Sequence, residues 1–457
     1  MSDFSSLNVA LSALYAQRRG LEITGHNIAN ANTEGYSRQR VDLEAIGGPR
    51  TGTFHTKALN TGNGVNVAGI TRFRDAFLES RAAMAHGDHA GLSRTDRSLR
   101  QIEDLFSEPS DQSLAKGMSE FWSGWDDVAN HPGDPAARAQ LLERATTLAK
   151  TLNYDATQLS QFRTDAISEL SSLVTEVNTM TANIAKLNEA IRSATTAGLN
   201  AGDLMDQRDL LVTKLSEKVG ATIRQSEHGQ VNVFLNGTAL VNDNITQALT
   251  LDASGSPVVL RWAGSNSAAS LSTGEVGGLL GVVNTTLPSY SASLDAIALK
   301  LRDDVNTLHV GGAGLDAVSG RKFFDATSAA DIAISTDIGT NTDRIAAGAV
   351  GAGTLDSTVA LDIADLAVSS TSAHAMYRTL IISLGVETQS TSRRLDIQTS
   401  AVEQIDGSRD ASSGVNTDEE MVSMVQYQHA YEAAARFLTT IDEMLDVLVN
   451  RTGTVGR

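Results

Sequence analysis

From Leu142 to Ile191 this chain runs without a glycine or a proline, while apolar residues recur every three or four positions. The stripe is Leu142, Ala145, Ala149, Leu152, Ala156, Leu159, Ala166, Leu170, Leu173, Val177, Met180, Ile184, Leu187 and Ile191, with Arg163 interrupting it. That spacing puts the apolar residues on one side of an α-helix. At about 1.5 Å rise per residue, one continuous helix would span about 75 Å. Ordinary globular helices are shorter, so the stretch predicts a rod-like helical bundle. A second helix fits Leu204 to Val219, after Gly198 and Gly202. A third pattern covers Val276 to His309, and a fourth resumes near Leu361.

Both chain ends carry a similar pattern. All six prolines lie between Pro49 and Pro288. A proline inside a helix costs about 3 kcal/mol, so the ends are free to form long helices. At the start, Phe4, Leu7, Leu11, Leu14, Leu21 and Ile28 follow a 3–4 spacing, with Arg18 and Gly25 interrupting, and Ser2 or Asp3 can cap the helix. An Asn- and Gly-rich stretch, Gly25 to Gly35, ends it, because these residues accept turn conformations. Near the other end, Thr417 and Glu420 have capping-box spacing, and Asp418, Glu419 and Glu420 suit the positive end of a helix dipole. Tyr427, Ala430, Ala434, Phe437, Ile441, Met444 and Leu448 then form a heptad stripe, with Met424, Tyr431, Ala435, Leu438 and Leu445 beside it. Two stripes side by side make a face wide enough for more than one partner helix.

The texture is β-like from Ala221 to about Gly274. Val231–Leu235, Asn236-Gly237 and Thr238–Val241 read as strand, tight turn and strand. The expected fold is mainly α with inserted β: a long helical bundle, terminal coiled-coil helices and a small outer β-domain. In segments, residues 1–40 with 412–457 form a terminal assembly domain. Residues 41–220 with 276–411 form the bundle, and 221–275 the β-domain.

The chemistry is sparse. The formal charge of −18 argues against a nucleic-acid binder. The absence of cysteine removes disulfides, thiolate metal sites and cysteine nucleophiles. No stretch approaches 18 consecutive apolar residues, so no membrane span is expected, and the start lacks the basic and apolar regions of a secretory signal. His86 and His89 could share a metal on a helix, but no third ligand is evident and solvated surface is the better reading. Gly62-Asn-Gly64 and Gly311–Gly314 lack the flanking pattern of a dinucleotide site and read as turns. Trp122 and Trp125 read as core, with Asp126 and Asp127 beside them in solvent. No catalytic, cofactor-binding or metal-binding residues are expected, and the chain does not read as an enzyme.

The stretch His26-Asn-Ile-Ala-Asn-Ala-Asn-Thr-Glu-Gly-Tyr-Ser-Arg-Gln-Arg40 resembles the N-terminal signature of bacterial flagellar axial proteins, the rod, hook and hook-associated family. Glu34 stands where that signature usually has proline. Ser413-Gly-Val-Asn-Thr-Asp-Glu-Glu and the helix after it resemble the C-terminal partner signature. Leu204-Met-Asp-Gln-Arg-Asp-Leu-Leu, Gly277–Gly281 and Gly320-Arg-Lys-Phe-Phe324 resemble internal motifs of the hook-associated branch that joins hook to filament.

The resemblance implies a structural protein that acts by packing. Its terminal helices would be disordered in the free subunit and would order on assembly, forming an inner tube with the long helices around it and the β-region outside. It implies Leu7, Leu11, Leu14, Leu21, Ile28, Tyr427, Phe437, Ile441 and Leu448 as assembly contacts. Asn27, Asn30, Asn32, Gly35 and Tyr36 would shape the turn. Implied partners are further copies in a ring or helical layer, hook protein below, a second junction protein above and through it the filament, and an export chaperone. No nucleic acid and no membrane are implied. The location would be extracellular, reached through flagellar export without a cleaved signal peptide. A hook or rod paralogue is the alternative, though long uninterrupted helices favour the junction branch.

Overall fold

The computed structural model describes residues 3–47, 62–106, 108, 110, 113–447 and 449. Ser2, Leu448 and most of the stretch 47–69 fall outside them.

The chain opens with helix α1 (Asp3–Ala29). Strands β1 (Gln39–Ala45) and β2 (Val65–Arg72) pair antiparallel. Helices α2 (Ala76–Phe106), α3 (Leu114–Asn130) and α4 (Pro135–Thr196) follow. Helix α4 has 62 residues and contains the whole periodic stretch. Pro135 starts it at a position whose amide has no helical partner anyway. Gly198, with φ +72°, stands just beyond its end.

Helix α5 (Gly202–Val219) leads into a four-stranded sheet, β3 (Thr222–Gln225), β4 (Val231–Leu235), β5 (Thr238–Asn242) and β6 (Ile245–Thr246), in that order. The β4–β5 turn is Asn236-Gly237, both at positive φ, as its sequence requires. A second hairpin joins β7 (Leu249–Asp252) to β8 (Val259–Trp262). Helix α6 (Gly274–Gly281) passes through a π-helical turn, Val282–Thr286, into α7 (Leu287–Gly311). Two-residue strands β9 (Gly312–Ala313), β10 (Phe324–Asp325), β11 (Ala333–Ile334) and β12 (Gly348–Ala349) pair as β9–β12 and β10–β11. Helices α8 (Thr358–Ala364), α9 (Ala373–Ser413) and α10 (Thr417–Asp446) close the chain. The fold is mainly helical with small inserted sheets.

Two expectations need correction. The helix expected from Leu361 breaks after α8, and the long helix begins only at Ala373. The first helix runs out into a 3₁₀ turn at Asp365–Val368, and at the start of the second the Ser372 hydroxyl accepts from the Ala375 amide at 3.3 Å. At α10 the cap is Asn416, not Thr417: its side-chain oxygen accepts from Asp418 and Glu419 amides at 3.0 and 3.3 Å. Asparagine and threonine are both good caps, so pattern alone was ambiguous by one residue.

The chain packs as two compact units. The first comprises Met1–His86, Val177–Ala248 and Ser400–Arg457; the second comprises Gly87–Glu176 and Leu249–Thr399. The segment 221–275, expected as one β-domain, is therefore shared. In the first unit, Asn188 donates to the carbonyls of Val231 and Asp243 at 2.8 and 2.6 Å and accepts from the Val231 amide at 3.2 Å, tying the four-stranded sheet to α4. In the second, Asn284 accepts from the Val258 amide and donates to its carbonyl, both at 2.8 Å, tying the other hairpin to the π-helical turn. Sequence texture marks the strands but not the helix that each hairpin bonds to.

The second unit has an aromatic core. Phe121 and Trp125 of α3 pack with Phe323 and Phe324, Trp122 packs against Phe121, and all five are buried. Asp126 stays exposed and Asp127 meets Arg144 at 2.9 Å. Buried His309 packs on the cluster, its Nδ1 on the Arg321 carbonyl at 2.8 Å and its Nε2 accepting from the Ala346 amide at 2.9 Å.

Candidate functional site

The site lies in the first unit, where both terminal signatures and the Asp206-Gln207-Arg208-Asp209 helix meet. Asn27, on the last turn of α1, is 1% exposed. Its side-chain nitrogen donates to the Gln39 carbonyl at 2.8 Å and to Glu420 Oε2 at 2.9 Å. Its oxygen accepts from the Tyr36 hydroxyl at 2.7 Å and the Gln39 amide at 3.0 Å. Both amide protons and both oxygen lone pairs are therefore used.

The turn after α1 is closed locally. The Thr33 amide donates to the Asn30 carbonyl at 2.9 Å, and the Tyr36 amide to the Thr33 carbonyl at 3.1 Å. Asn30 donates to the His26 carbonyl at 3.0 Å and accepts from the Thr33 hydroxyl at 3.2 Å. Gly35 sits at φ +79°, a conformation that favours glycine, and an added Cβ would lie 3.1 Å from Leu210. Glu34 and Asn32 are exposed, so the turn forms with glutamate in the proline position. Tyr36 leans edge-on against His26. Burial, with the nearby Asp203, Asp206 and Glu420 carboxylates, raises its hydroxyl well above the usual tyrosine value.

Glu420, expected to serve the cap and dipole of the last helix, does sit in its first turn, where it is 3% exposed and ion-paired, Arg38 Nε to Oε1, at 2.7 Å. Arg38 also reaches Glu419 at 3.1 Å, and its amide donates to the Ser413 carbonyl at 2.9 Å. On the other side, Ser37 donates through its amide to Asp206 at 3.2 Å. Arg72 spans Asp206 and Asp209, Arg74 spans Asp209 and Glu79, and Arg208 pairs with Asp209. Burial raises the Asp206 carboxyl above its ordinary value. Burial pushes Asp209 the same way, but Arg208, Arg74 and Arg72 outweigh it and hold that carboxyl low. The Asp-Gln-Arg-Asp motif is thus the anchor that holds the β1–β2 hairpin and the turn on α5.

His86 is not the solvated residue expected. It is half-buried, Nδ1 at 3.2 Å from Glu217 and Nε2 at 3.1 Å from Asp406. The Glu217 hydrogen bond, aided by Asp406, raises its imidazole above the ordinary value. Among the described residues, no group of three His, Cys, Asp or Glu side chains is arranged to hold a metal.

Helices α1 and α10 pack on each other. The buried face of α1 is Ala10, Ala16, Gly20, Ile23, Thr24 and Asn27. Leu7, Leu14, Leu21 and Ile28 are half-buried and Leu11 is exposed. On α10 the heptad stripe divides. Ile441 is buried and Tyr427 half-buried, whereas Phe437 and Met444 are exposed. Leu448 lies outside the described residues. Sequence reasoning missed Arg38, Asp206 and Glu420; their signal was charged residues inside the signatures, where exposed loops alone would not need them.

Three family models match the chain: the flagellar hook-associated protein FlgK helical domain over residues 99–324, the flagellar basal body rod FlgEFG protein C-terminal model over 409–451, and the flagella basal body rod protein model over 7–36. The flagellar hook-associated protein 1 of Bacillus subtilis is 29% identical over the full length of both chains. That of Salmonella typhimurium is 30% identical over 71% of this chain and 60% of its own length. That of Escherichia coli is 28% identical over 70% of this chain, which again spans 60% of the relative. The flagellar hook junction protein FlgK from Burkholderia pseudomallei shares the fold, with a TM-score of 0.64 at 18% identity, covering 72% of this chain and 99% of that one.

Proposed function

The chain belongs to the FlgK family of flagellar hook-associated proteins, and from that premise we propose that it is a structural subunit of the bacterial flagellum, in the layer joining hook to filament. The observation that carries this reading is the pair of terminal helices. They are tied to each other through the Asn27–Glu420 bond and a buried face of mostly small residues, while Leu11 and Phe437 are exposed and Leu7, Leu14, Leu21 and Ile28 are only half-buried. Leu7, Leu11, Leu14, Leu21, Ile28 and Phe437 are read as the contacts that neighbouring subunits cover, together with Leu448 from the sequence pattern. Tyr427 and Ile441 support the pair from within. A leucine covered from full exposure contributes about 1.5–3 kcal/mol, and the half-buried ones correspondingly less.

In this reading, residues 1–40 with 412–457 make the assembly layer. Copies self-associate into a ring or helical layer, with hook protein below and the second junction protein above, and a chaperone escorts the chain to flagellar export. The chain acts by packing and not by catalysis. Among the described residues no helix is long and apolar enough to cross a membrane, and the site of action is the extracellular flagellum.

Electron microscopy of cells lacking the gene, with a blot for flagellin in the medium, tests the reading. Bare hooks with flagellin lost to the medium are expected. Missing hooks would point instead to a rod or hook paralogue, and normal flagella would overturn both.

A further inference from the structure

Away from the terminal helices, the second unit buries a carboxyl group that nothing neutralises. Asp155, in the part of α4 that belongs to this unit, is 4% exposed. Among the described residues no hydrogen bond and no positive charge favours its ionised form. Burial and the Glu108 carboxylate both push its carboxyl up, to about 7. Glu108, on the connection between α2 and α3, accepts at Oε1 from the Tyr377 hydroxyl at 3.0 Å and the Ala115 amide at 3.1 Å. Tyr377 is buried on α9, edge-on to Phe106 at the end of α2. Burial, with Glu108 and Asp155, holds its phenol well above the usual value, so it stays a donor. His374, one turn earlier, supplies no cation: burial and Arg378 hold its imidazole low, and its buried Nδ1 has no partner among the described residues. Asp331, on the loop that Asn153 of α4 holds, is engaged by Thr327 and Ser328. Lys116 of α3 pairs with Glu120 at 3.5 Å. Of the two carboxyls in the cluster, Glu108 has two donors and Asp155 has none, so the proton falls to Asp155.

We propose that Asp155 is a protonation latch of the second unit, holding the α2–α3 connection and the first turns of α9 on α4 while it is a neutral acid. Ionised, it stands buried within reach of the Glu108 charge and without a cation, and those segments loosen from α4. The latch is closed in weak acid and opens in weak alkali. The folded protein holds this proton more tightly than the unfolded chain, where aspartate titrates near 3.9. Stability therefore falls as pH rises from about 4 to about 7, and the loss is complete above that. His309 titrates in the opposite sense, and it cancels between two proteins that both carry it.

Denaturation of the full-length protein and of its Asp155→Asn variant, from pH 5 to pH 8, tests the latch. All three tryptophans, Trp122, Trp125 and Trp262, belong to the second unit, so their fluorescence reports its folding whatever the terminal helices do. Asparagine keeps the shape of the neutral acid and cannot ionise. Across that range the folding equilibrium of the native protein is expected to fall about a hundredfold relative to the variant. Parallel pH dependences overturn the latch. Hydrogen exchange in the native protein decides if the variant folds poorly. After correction for the intrinsic rise of exchange with pH, protection over residues 373–384 should fall between pH 6 and pH 8, while that over 294–305 of α7 holds. An equal change in the two segments, or none in either, also overturns the latch. No residue of it lies in the terminal helices, so either result leaves the assembly reading to its own electron-microscopy test.

Discussion

Helices α1 and α4 carry the same apolar repeat and treat it in opposite ways. On α4 the stripe is buried within the chain: Leu152, Leu159, Leu170, Val177, Ile184 and Ile191 are each at most 1% exposed. On α1 the small residues turn inward, while Leu11 is 36% and Tyr15 68% exposed. The difference follows from what each helix meets. Helix α1 meets α10 and the β1–β2 hairpin, and the side chains it buries there are mostly small or polar. At Gly20 the Tyr427 ring leaves no room for a side chain on α1, and Leu11 stays exposed. A helix whose stripe is filled is part of a core; one whose stripe is left over holds surface for another molecule.

The contrast can be broken most severely in the aromatic core. Trp125→Ala should destabilise the protein by about 3–5 kcal/mol, seen as a large fall in denaturation midpoint. A loss no greater than that of a surface change would mean that the core is not the foundation described.

Acid should act on the same core. Burial, the leading cause, pushes His309 down to about 4. Its contribution is intact above the unfolded imidazole value near 6.5. It is lost progressively as pH falls from there to about 4, for a total of order 3 kcal/mol. His309→Gln should flatten denaturation curves measured across that window. An unchanged slope would mean that other groups carry the acid sensitivity.

The smallest stability effect is expected at the exposed stripe. Leu11→Asp should change the melting of the purified protein by less than about 0.5 kcal/mol, as exposed positions do. Its incorporation into flagella should nevertheless fail, as read by blotting isolated hook–filament structures. Normal incorporation would mean that the leftover stripe is not an assembly face.

Much of the secondary structure was legible, because periodicity and turn residues are local. Pro135 and Gly198 bracket α4, and Asn236-Gly237 makes its hairpin turn as written. The turn residues Asn27, Asn30, Gly35 and Tyr36 were legible as a turn, and each now has a structural task in it. The capping of α10 slipped by one residue because two good caps are adjacent. The break before Ala373 was missed because serine and threonine, unlike proline, interrupt a helix only when their hydroxyls find the right amide.

The chain's own order of residues was enough to settle that long helices form and that both ends are amphipathic. It could not assign the direction in which each stripe faces, since a 3–4 repeat has the same appearance whether the chain or another copy covers it. Nor could it join Asn27 to Glu420, 393 positions away, or Ser37 to Asp206. Those pairings depend on which helices lie side by side. That is decided by packing and by the demand that every buried polar group find a partner, and only the assembled three-dimensional fold meets both demands together.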